Sequence, residues 1–379
     1  MHDLGPLHNI PDRDTGVALF YHPAFLEHDT GYHPESPDRL RAIVEALDAH
    51  GIPPSCLLRP EPVDMALLQQ VHDARYIAAV QRVAGSGGAY WDVDTYISPR
   101  SYQAALLAAG AAVAAVDSVM RAPGGADAPA DGWHGPAFAF ALVRPPGHHA
   151  LYDSAMGFCI FNNVAVAAQH ATTVYGLERV LIVDWDVHHG NGTQDYFYQR
   201  ADVLFFSTHR YPFYPGTGAA GDTGSGEGAG YTVNLPLPVG VGDEGYRRVF
   251  EEILVPVAER YRPQLILISA GYDAHMADPL GGMAVTVAGF YEMARIVCDL
   301  AVRMPECRGR VAAVLEGGYD IRALAASVLA TIAAMIPGSA PGERQYVPAT
   351  EGQGGQRQQR WAAPDITTLI QQVKRIHKL

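Results

Sequence analysis

An apolar run at residues 180–183, VLIV, leads directly into DWDVHH, which supplies Asp184, Asp186, His188 and His189. The first three are spaced by two, so on an extended strand their side chains point to the same side. Charges that converge in this way repel unless a cation lies between them, and carboxylates with an imidazole suit zinc. The alternative is that both aspartates cap the next helix and the histidines are ordinary polar groups. The complete pattern after an apolar strand favours a metal site.

Two other apolar runs end in residues of the same kinds. ILISAGYDAH supplies Asp273, and ALVRPPGHH supplies His148 and His149. Because neighbouring carboxyl ends of parallel strands meet at one crevice, we expect Asp186, His188 and Asp273 to form a three-ligand site with room for water. Such open coordination is typical of a catalytic zinc. The histidine pair suits proton transfer, although a solvated loop is the alternative for a pair that follows Pro-Pro-Gly.

The elements that must position these residues are short apolar runs alternating with helical patterns. The strand candidates are VALFY, AFAFALV, RVLIVDWD, VLFFSTH, LILISAG and VAAVLEGG. Continuous apolar runs indicate strands buried on both faces. Among the helices, SPDRLRAIVEALDAHG has Ser36 as its predicted N-cap, Pro37 at the first helical position and its end at Gly51. The pattern predicts an α/β fold with a single open, mostly parallel sheet and helices on both faces.

The domain organisation predicted from composition is simple. Residues 1–336 contain no strong break and are predicted to form one catalytic domain, with a Gly/Pro/Ala-rich surface loop at residues 121–135. Residues 337–360 are polar and rich in glycine and glutamine, which predicts a linker or a loosely held strap. The final segment, DITTLIQQVKRIHKL, predicts a terminal helix, so residues 337–379 would pack on the same domain.

Bulk composition limits the kinds of partner. The 379-residue chain has a net charge of −13, which argues against nucleic-acid binding. Its four cysteines have no paired spacing and the N-terminus lacks a basic and apolar leader, so we expect a cytoplasmic protein with reduced thiols. The Ala-rich run AALLAAGAAVAAVDSVM predicts a packed helix, not a membrane span. A homo-oligomer remains open.

Six motifs in order give the chain a resemblance to a known family. They are RPPGHHA, GFCIFNN, DWDVHHGNGTQ, FYPGTG, SAGYDAHMADP and EGGYD. Together with HPESPDR they resemble the histone deacetylase superfamily over about residues 17–335, and the class II-like bacterial histone deacetylase-like amidohydrolases most of all. The resemblance implies an arginase/deacetylase-like fold and a zinc-dependent enzyme that removes acetyl or other acyl groups from lysine side chains or related amines.

The resemblance also implies roles for individual residues. Asp186, His188 and Asp273 match the zinc ligands, and Tyr319 matches the catalytic tyrosine. Of the remaining matches, Asp184 supports the first dyad histidine, His148, and Asn191, the class II form, supports the second, His149. Phe158 and Tyr214 match the aromatic walls of the acyl-lysine tunnel, and Gly157, Leu280 and Asp94 the other substrate-binding positions. A structural potassium ion is implied at Asp184, Ser207 and Thr208.

The expected reaction is hydrolysis of an amide by water that zinc activates and a histidine of the pair deprotonates. Tyr319 would then stabilise the oxyanion together with the zinc. A dimanganese ureohydrolase is less favoured because it leaves Tyr319 and the histidine pair without a role, and a non-catalytic acetyl-lysine binder because no site residue is lost.

The substrate is the least constrained part of the prediction. An acetylated protein lysine, a longer acyl-lysine, an acetylpolyamine and other small amides all fit a narrow tunnel. Polyamine-selective relatives can carry a glutamate where this chain has Leu280, which argues mildly against polyamines. His275 is not a family ligand and is expected to be a rim or supporting group.

Overall fold

The computed structural model describes residues 16–121, 137–336 and 363–379. Nearly all of the predicted surface loop and the whole of the predicted strap at 337–360 therefore lie outside the described residues. The strands of the described part are β1 Val17–Phe20, β2 Ala89–Tyr90, β3 Tyr96–Ile97, β4 Phe138–Ala141, β5 Val180–Asp184, β6 Val203–Arg210, β7 Thr232–Leu237, β8 Leu265–Ala270 and β9 Val311–Leu315.

Seven of these strands form one open parallel sheet in the order β1-β4-β9-β8-β5-β6-β7. All six predicted strands are present, and every residue of β4, β5, β8 and β9 is buried. Strand β7 was not predicted, because its apolar run is interrupted by Asn234 and Pro236. Because β7 lies at the edge of the sheet, it tolerates a proline that a central strand would not. The small antiparallel pair β2–β3 was not predicted either.

The helices are α1 Asp38–Ala49, α2 Met65–Val71, α3 Ala74–Gly85, α4 Ser101–Met120, α5 Asn163–Val174, α6 Asn191–Phe197, α7 Asp243–Val249, α8 Val255–Tyr261, α9 Val287–Arg303, α10 Ile321–Met335 and α11 Thr367–His377. A π-helical turn, Phe250–Leu254, joins α7 to α8. One group of helices contains α4 and α5, and another contains α1, α9 and α10. They cover both faces of the sheet, which confirms the predicted α/β class.

Two helix predictions have different outcomes. The predicted start of α1 was wrong: Pro37 is the N-cap residue, the helix begins at Asp38, and the Ser36 side chain does not cap it. By length and composition, α4 is the one helix in the described ranges that could cross a membrane. It packs against α5, β1, β4 and β9 inside the fold, so the prediction of a packed core helix is confirmed.

The carboxyl edge of the sheet gathers segments that are distant in sequence. The strands β4, β9, β8 and β5 are adjacent, and each is followed by one of the motif-bearing loops. The chain leaves β5 towards β6 but leaves the neighbouring β8 towards β9, in the opposite direction, and ligands bind at such switch points in open α/β sheets. The fold therefore brings the four loops to one place.

Candidate active site

The candidate metal cluster lies in two loops beyond neighbouring strands. Strand β5 ends at Asp184, so Asp186 and His188 lie beyond it. The alternation of side chains along a strand, which was expected to orient these two residues, therefore does not do so. The turn after the strand does so instead. His188 Nδ1 lies 3.1 Å from Asp186 Oδ1 and 3.1 Å from Asp273 Oδ2. The three predicted ligands thus meet, although for a different geometric reason.

The donor atoms of this cluster fit a zinc ion. One atom from each of Asp186, His188 and Asp273 lies within 4.8 Å of the others, and ligands of a tetrahedral zinc are about 3.3 Å apart. The outer carboxylate oxygens already accept backbone hydrogen bonds, Asp186 Oδ2 from Gly317 (2.9 Å) and Asp273 Oδ1 from Val187 (2.8 Å). Burial and the Asp186 charge raise the pKa of Asp273 to about 7. A cation between the inner oxygens would relieve that repulsion.

The two histidines after β4 have different partners. His148 Nδ1 lies 3.0 Å from Asp184 Oδ2, and His149 Nδ1 lies 2.7 Å from Asn191 Oδ1. The Asn191 amide nitrogen donates to Met156 Sδ, which assigns the amide oxygen to the histidine. His149 Nδ1 therefore carries the proton and its Nε2 is left with a lone pair. Both predicted pairings are present in the structure.

These partners separate the protonation states of the two rings. Burial opposes the charged form of His148, but the Asp184 and Asp186 charges outweigh it and raise its pKa to about 10. Burial and the charge on His148 hold the pKa of His149 well below its ordinary value. At neutral pH the pair therefore contains one imidazolium and one neutral imidazole, which is the arrangement needed when an acid and a base act together.

Tyr319 approaches the cluster from the loop after β9. Gly317 permits this, because a Cβ there would lie 2.4 Å from Asp273 Oδ2 and 2.5 Å from Asp186 Oδ2. Burial and the charge of Asp273 raise the pKa of Tyr319 well above its usual range. The phenol consequently stays protonated and can donate a hydrogen bond.

Two buried carboxylates that support the site were missed from the sequence. Asp278 Oδ2 accepts the backbone N–H of Tyr319 at 2.6 Å. Glu316 accepts the N–H groups of Gly147 (2.6 Å) and His148 (3.1 Å) and holds the histidine loop in place. Both lie inside the family motifs EGGYD and SAGYDAHMADP, and the signal available was an acidic residue in the same motif as a predicted catalytic residue or ligand.

The predicted tunnel residues border the same site. The Phe158 ring lies 5.8 Å from that of Tyr319, and the Tyr214 ring lies 5.3 Å from that of His149. Both contacts are edge to face. Gly157 is buried, Phe158 is half-buried and Tyr214 is 37% exposed, so the two aromatic residues lead from the surface to the histidines.

The other two substrate-binding predictions lie beside these residues. The Thr95 hydroxyl accepts the Phe158 N–H at 3.1 Å and lies 3.3 Å from Asp94 Oδ1, so Asp94 is close to Phe158, a predicted tunnel residue. Leu280 donates its N–H to Asp278, the carboxylate that holds Tyr319. His275 is 3% exposed and stacks on Phe290, so it is a buried supporting residue and not a rim residue.

The predicted potassium ligands are also adjacent. Asp184 and Ser207 face each other across β5 and β6, and the Thr208 hydroxyl donates to the Asp184 carbonyl at 3.4 Å. Carbonyl and hydroxyl oxygens are the donors that potassium prefers. The arrangement is compatible with potassium, which stays a prediction.

Comparison with known proteins shows how far the resemblance extends. The chain matches the family described as Histone deacetylase domain over residues 33–335. It is 42% identical over 332 residues to Histone deacetylase 14, chloroplastic, of Arabidopsis thaliana, which covers 83% of this chain and 75% of that protein. It is 42% identical over 291 residues to the Histone deacetylase-like amidohydrolase of Pseudomonas aeruginosa, with coverage of 76% and 73%.

A solved structure extends the likeness to the fold. The crystal structure of the HDA15 HD domain has a TM-score of 0.79 and 37% identity, and covers 95% of this chain and 94% of that one. The likeness inferred from six short motifs thus holds for most of the sequence and for the three-dimensional architecture.

Proposed function

The chain belongs to the histone deacetylase family, and on that premise we propose that it is a zinc-dependent amidohydrolase that removes acetyl or other acyl groups from lysine side chains. The observation that carries the proposal is the three-ligand cluster of Asp186, His188 and Asp273 beside two histidines, one held by a carboxylate and the other by a neutral amide. The names of two relatives, a histone deacetylase and a histone deacetylase-like amidohydrolase, support the same reaction class.

Asp186, His188 and Asp273 would hold the zinc. When bound, zinc supplies Lewis acidity, which polarises a carbonyl oxygen and makes water acidic enough to ionise at a pH of about 7. Three protein ligands leave coordination positions open for substrate and water, as in other catalytic zinc sites.

His149 is the proposed general base. Its Nδ1–H donates to Asn191, so Nε2 is free to take the proton of the attacking water. The proton then passes to the amide nitrogen as the carbon–nitrogen bond breaks, which yields a carboxylate and a free amine. His148, protonated and held by Asp184, contributes a positive charge that stabilises the anionic transition state.

Tyr319 is the proposed oxyanion donor. Its raised pKa keeps the hydroxyl protonated, and loss of one such donor costs roughly 100- to 1000-fold in kcat in comparable sites. Phe158 and Tyr214 are the proposed walls for the alkyl chain, where each buried methylene contributes about 0.8 kcal/mol. Two flat rings favour a linear chain over a branched one.

Other substrates of the same reaction are the alternative. An acetylpolyamine or another small amide would use the same cluster, and Leu280 at the rim supplies no charge for a polyamine. A dimanganese ureohydrolase or a non-catalytic binder leaves the arrangement of Tyr319, His148 and His149 without a purpose.

We also propose a structural potassium ion at Asp184, Ser207 and Thr208. We further propose that the protein is cytoplasmic and that its four cysteines, all unpaired in the structure, stay reduced.

The test combines metal analysis with kinetics. We expect one zinc per chain as isolated, lost in Asp186→Ala and Asp273→Ala, and hydrolysis of an acetyl-lysine peptide. Tyr319→Phe should keep the zinc and lose about 100-fold or more in kcat. Full metal content in both aspartate variants, or a normal rate for Tyr319→Phe, would contradict the proposal. Rates on longer acyl-lysine peptides and acetylpolyamines identify the preferred substrate.

A further inference from the structure

The loop that carries Tyr214 has little apolar packing to hold it. We call residues 211–218 the Tyr214 loop. Within it only Gly218 is buried, and Tyr211 and Tyr214 are more than a third exposed. The position of the tunnel wall must therefore depend on specific anchoring contacts.

One anchor is an imidazole that the proposed reaction does not use. His189 follows the metal ligand His188 but is 1% exposed and turned towards the Tyr214 loop. Its Nδ1 lies 2.7 Å from Thr217 Oγ1 and its Nε2 lies 3.0 Å from Gln194 Oε1. Both ring nitrogens are therefore occupied by protein partners.

The direction of each bond follows from the neighbours. Gln194 Oε1 also accepts from the Asn234 amide nitrogen at 2.7 Å, so it is an acceptor for His189 as well. His189 Nε2 must then carry the proton, which leaves Nδ1 as an acceptor. The Thr217 hydroxyl consequently donates to His189, and a valine at 217 would remove this bond at nearly constant volume.

A second imidazole holds the end of the same loop. His209 Nε2 donates to the Gly218 carbonyl at 2.8 Å, and the His189 and His209 rings are 4.7 Å apart. Gly218 has a φ of +89°, and a Cβ there would lie 2.5 Å from His209 Nε2 and 2.7 Å from His189 Cδ2. The loop backbone therefore rests directly on both rings.

We propose that His189 is a positioning residue that, through Thr217, holds the Tyr214 loop where Tyr214 borders the substrate tunnel. The first half of the Tyr214 loop is supported without His189, so His189 is needed only for the second half, which contains Thr217. Phe213 stacks on His188 at 5.3 Å and lies under the Arg210 guanidinium at 4.0 Å, so the first half of the loop has its own support. This inference rests on the proposed function, because it assigns Tyr214 to the wall of an acyl-lysine tunnel.

The first experiment compares Thr217→Val with Thr217→Ser on a linear acetyl-lysine peptide. Loss of the hydroxyl should lower kcat/KM roughly three- to tenfold, which is what one neutral hydrogen bond is worth. The loss should appear in KM, because the loop binds the chain and does not touch the reacting bond. Thr217→Ser keeps the donor and should restore the rate. Thr368→Val, an exposed threonine on α11, is the matched control and should behave as wild type.

The second experiment tests whether the effect passes through Tyr214. In a Tyr214→Ala background, Thr217→Val should cause no further loss, because the residue it positions is gone. His189→Asn keeps an acceptor near the Nδ1 position, which Thr217 can still use. His189→Gln keeps only a donor near Nε2. The asparagine variant should therefore have a lower KM than the glutamine variant. Fully additive losses from Thr217→Val and Tyr214→Ala would overturn the proposal. So would a loss from Thr217→Val that lies entirely in kcat with KM unchanged.

Amide hydrogen exchange separates this inference from the proposed function. Thr217→Val should speed exchange in residues 211–218 and leave the β5 and β8 amides unchanged. Unaltered exchange in the loop overturns the positioning role whatever the enzyme hydrolyses. If wild type hydrolyses none of the acylated substrates, the proposed function fails, and faster loop exchange in the variant still shows that Thr217 anchors the loop.

Discussion

At the scale of single residues, the site obtains two different groups from two identical side chains. His148 and His149 are adjacent, with ring centroids 4.0 Å apart. One faces the Asp184 carboxylate and the other the neutral amide of Asn191. The negative charge of Asp184 favours the imidazolium form of His148. The neutral Asn191 amide does not, so burial and the positive charge on His148 disfavour the imidazolium form of His149. The choice of aspartate or asparagine as partner thus decides which ring is the neutral imidazole.

Replacing Asn191 with aspartate should move the acidic limb of the rate profile. The new carboxylate favours the charged form of His149, so the pKa of His149 rises. Since the base must be neutral, activity is lost as pH falls through that pKa, and a higher pKa shifts the loss to higher pH. The measurement is kcat/KM against pH for both proteins, with metal content as control. Superimposable profiles would show that His149 is not the base.

Asp278 should act on turnover through the backbone of Tyr319. It is 8% exposed, and its Oδ2 accepts the N–H groups of Tyr319 and Asp320 at 2.6 and 3.2 Å. Asp278→Ala releases that backbone, and a displacement of the hydroxyl by about 1 Å costs on the order of 100-fold. Asp278→Asn keeps an oxygen acceptor and should retain most of kcat. If the alanine variant loses zinc in proportion to activity, the residue supports the metal and not the tyrosine.

At the scale of elements, the sequence predicts best where burial is most complete. The central strands were found because each is a continuous apolar run, and the site because its residues follow those runs directly. Strand β7 was missed because an edge strand accepts the polar and proline residues of TVNLPL. The precise orientation of Asp186 and His188 depends on the turn after β5, whose geometry is set by contacts with the loops after β8 and β9. No pattern within the segment itself encodes those contacts.

Helix α11 should stabilise the edge of the sheet. It packs against β7 and the π-helical turn, with Ile370 and Val373 fully buried. Ile370→Ala should lower the free energy of unfolding by about 2–4 kcal/mol, as expected for truncation of a buried isoleucine. Gln371→Ala, exposed on the same helix, should change it by less than about 0.5 kcal/mol. Urea unfolding measures both, and equal effects would show that α11 contributes no packing energy.

At the scale of the whole molecule, a buried ion cluster joins the first segment of the chain to the catalytic loops. Glu35 accepts hydrogen bonds from Arg144 and from Arg39, and all three side chains are fully buried. Arg39 also donates to the carbonyls of Gly318 and Glu316. The backbone that carries Tyr319 is thereby connected to a segment 279 residues earlier in the chain.

Removing the charge of Glu35 should destabilise the protein in a pH-dependent way. Burial opposes ionisation, but the Arg144 charge outweighs it and holds the pKa of Glu35 well below its ordinary value. Its contribution is therefore complete above the unfolded-state pKa of about 4.3 and is lost as pH falls below it. Glu35→Gln should cost roughly 3–5 kcal/mol near pH 7, and the difference from wild type should shrink in acid.

Urea unfolding between pH 7 and pH 3 measures this difference. Glu45→Gln, an exposed glutamate on α1, provides the control and should match wild type throughout. A deficit of constant size at every pH would mean that Glu35 acts through packing and not through its charge.

The adjacent positions of β5 and β8 in the sheet also determine when, during folding, the proposed metal ligands come together. Two of the proposed metal ligands, His188 and Asp273, are 85 residues apart in sequence, with β6 and β7 between them in the chain. Parallel pairing over such distances forms slowly, after loop closure, so we expect the complete set of proposed ligands to come together late in folding. Zinc should then leave the refolding half-time unchanged and set only the rate of a later step, in which activity returns. We therefore expect the proposed zinc to bind a chain that has already folded, and refolding followed by fluorescence and by activity, with and without zinc, tests this; a shorter half-time of the fluorescence change with zinc would contradict it.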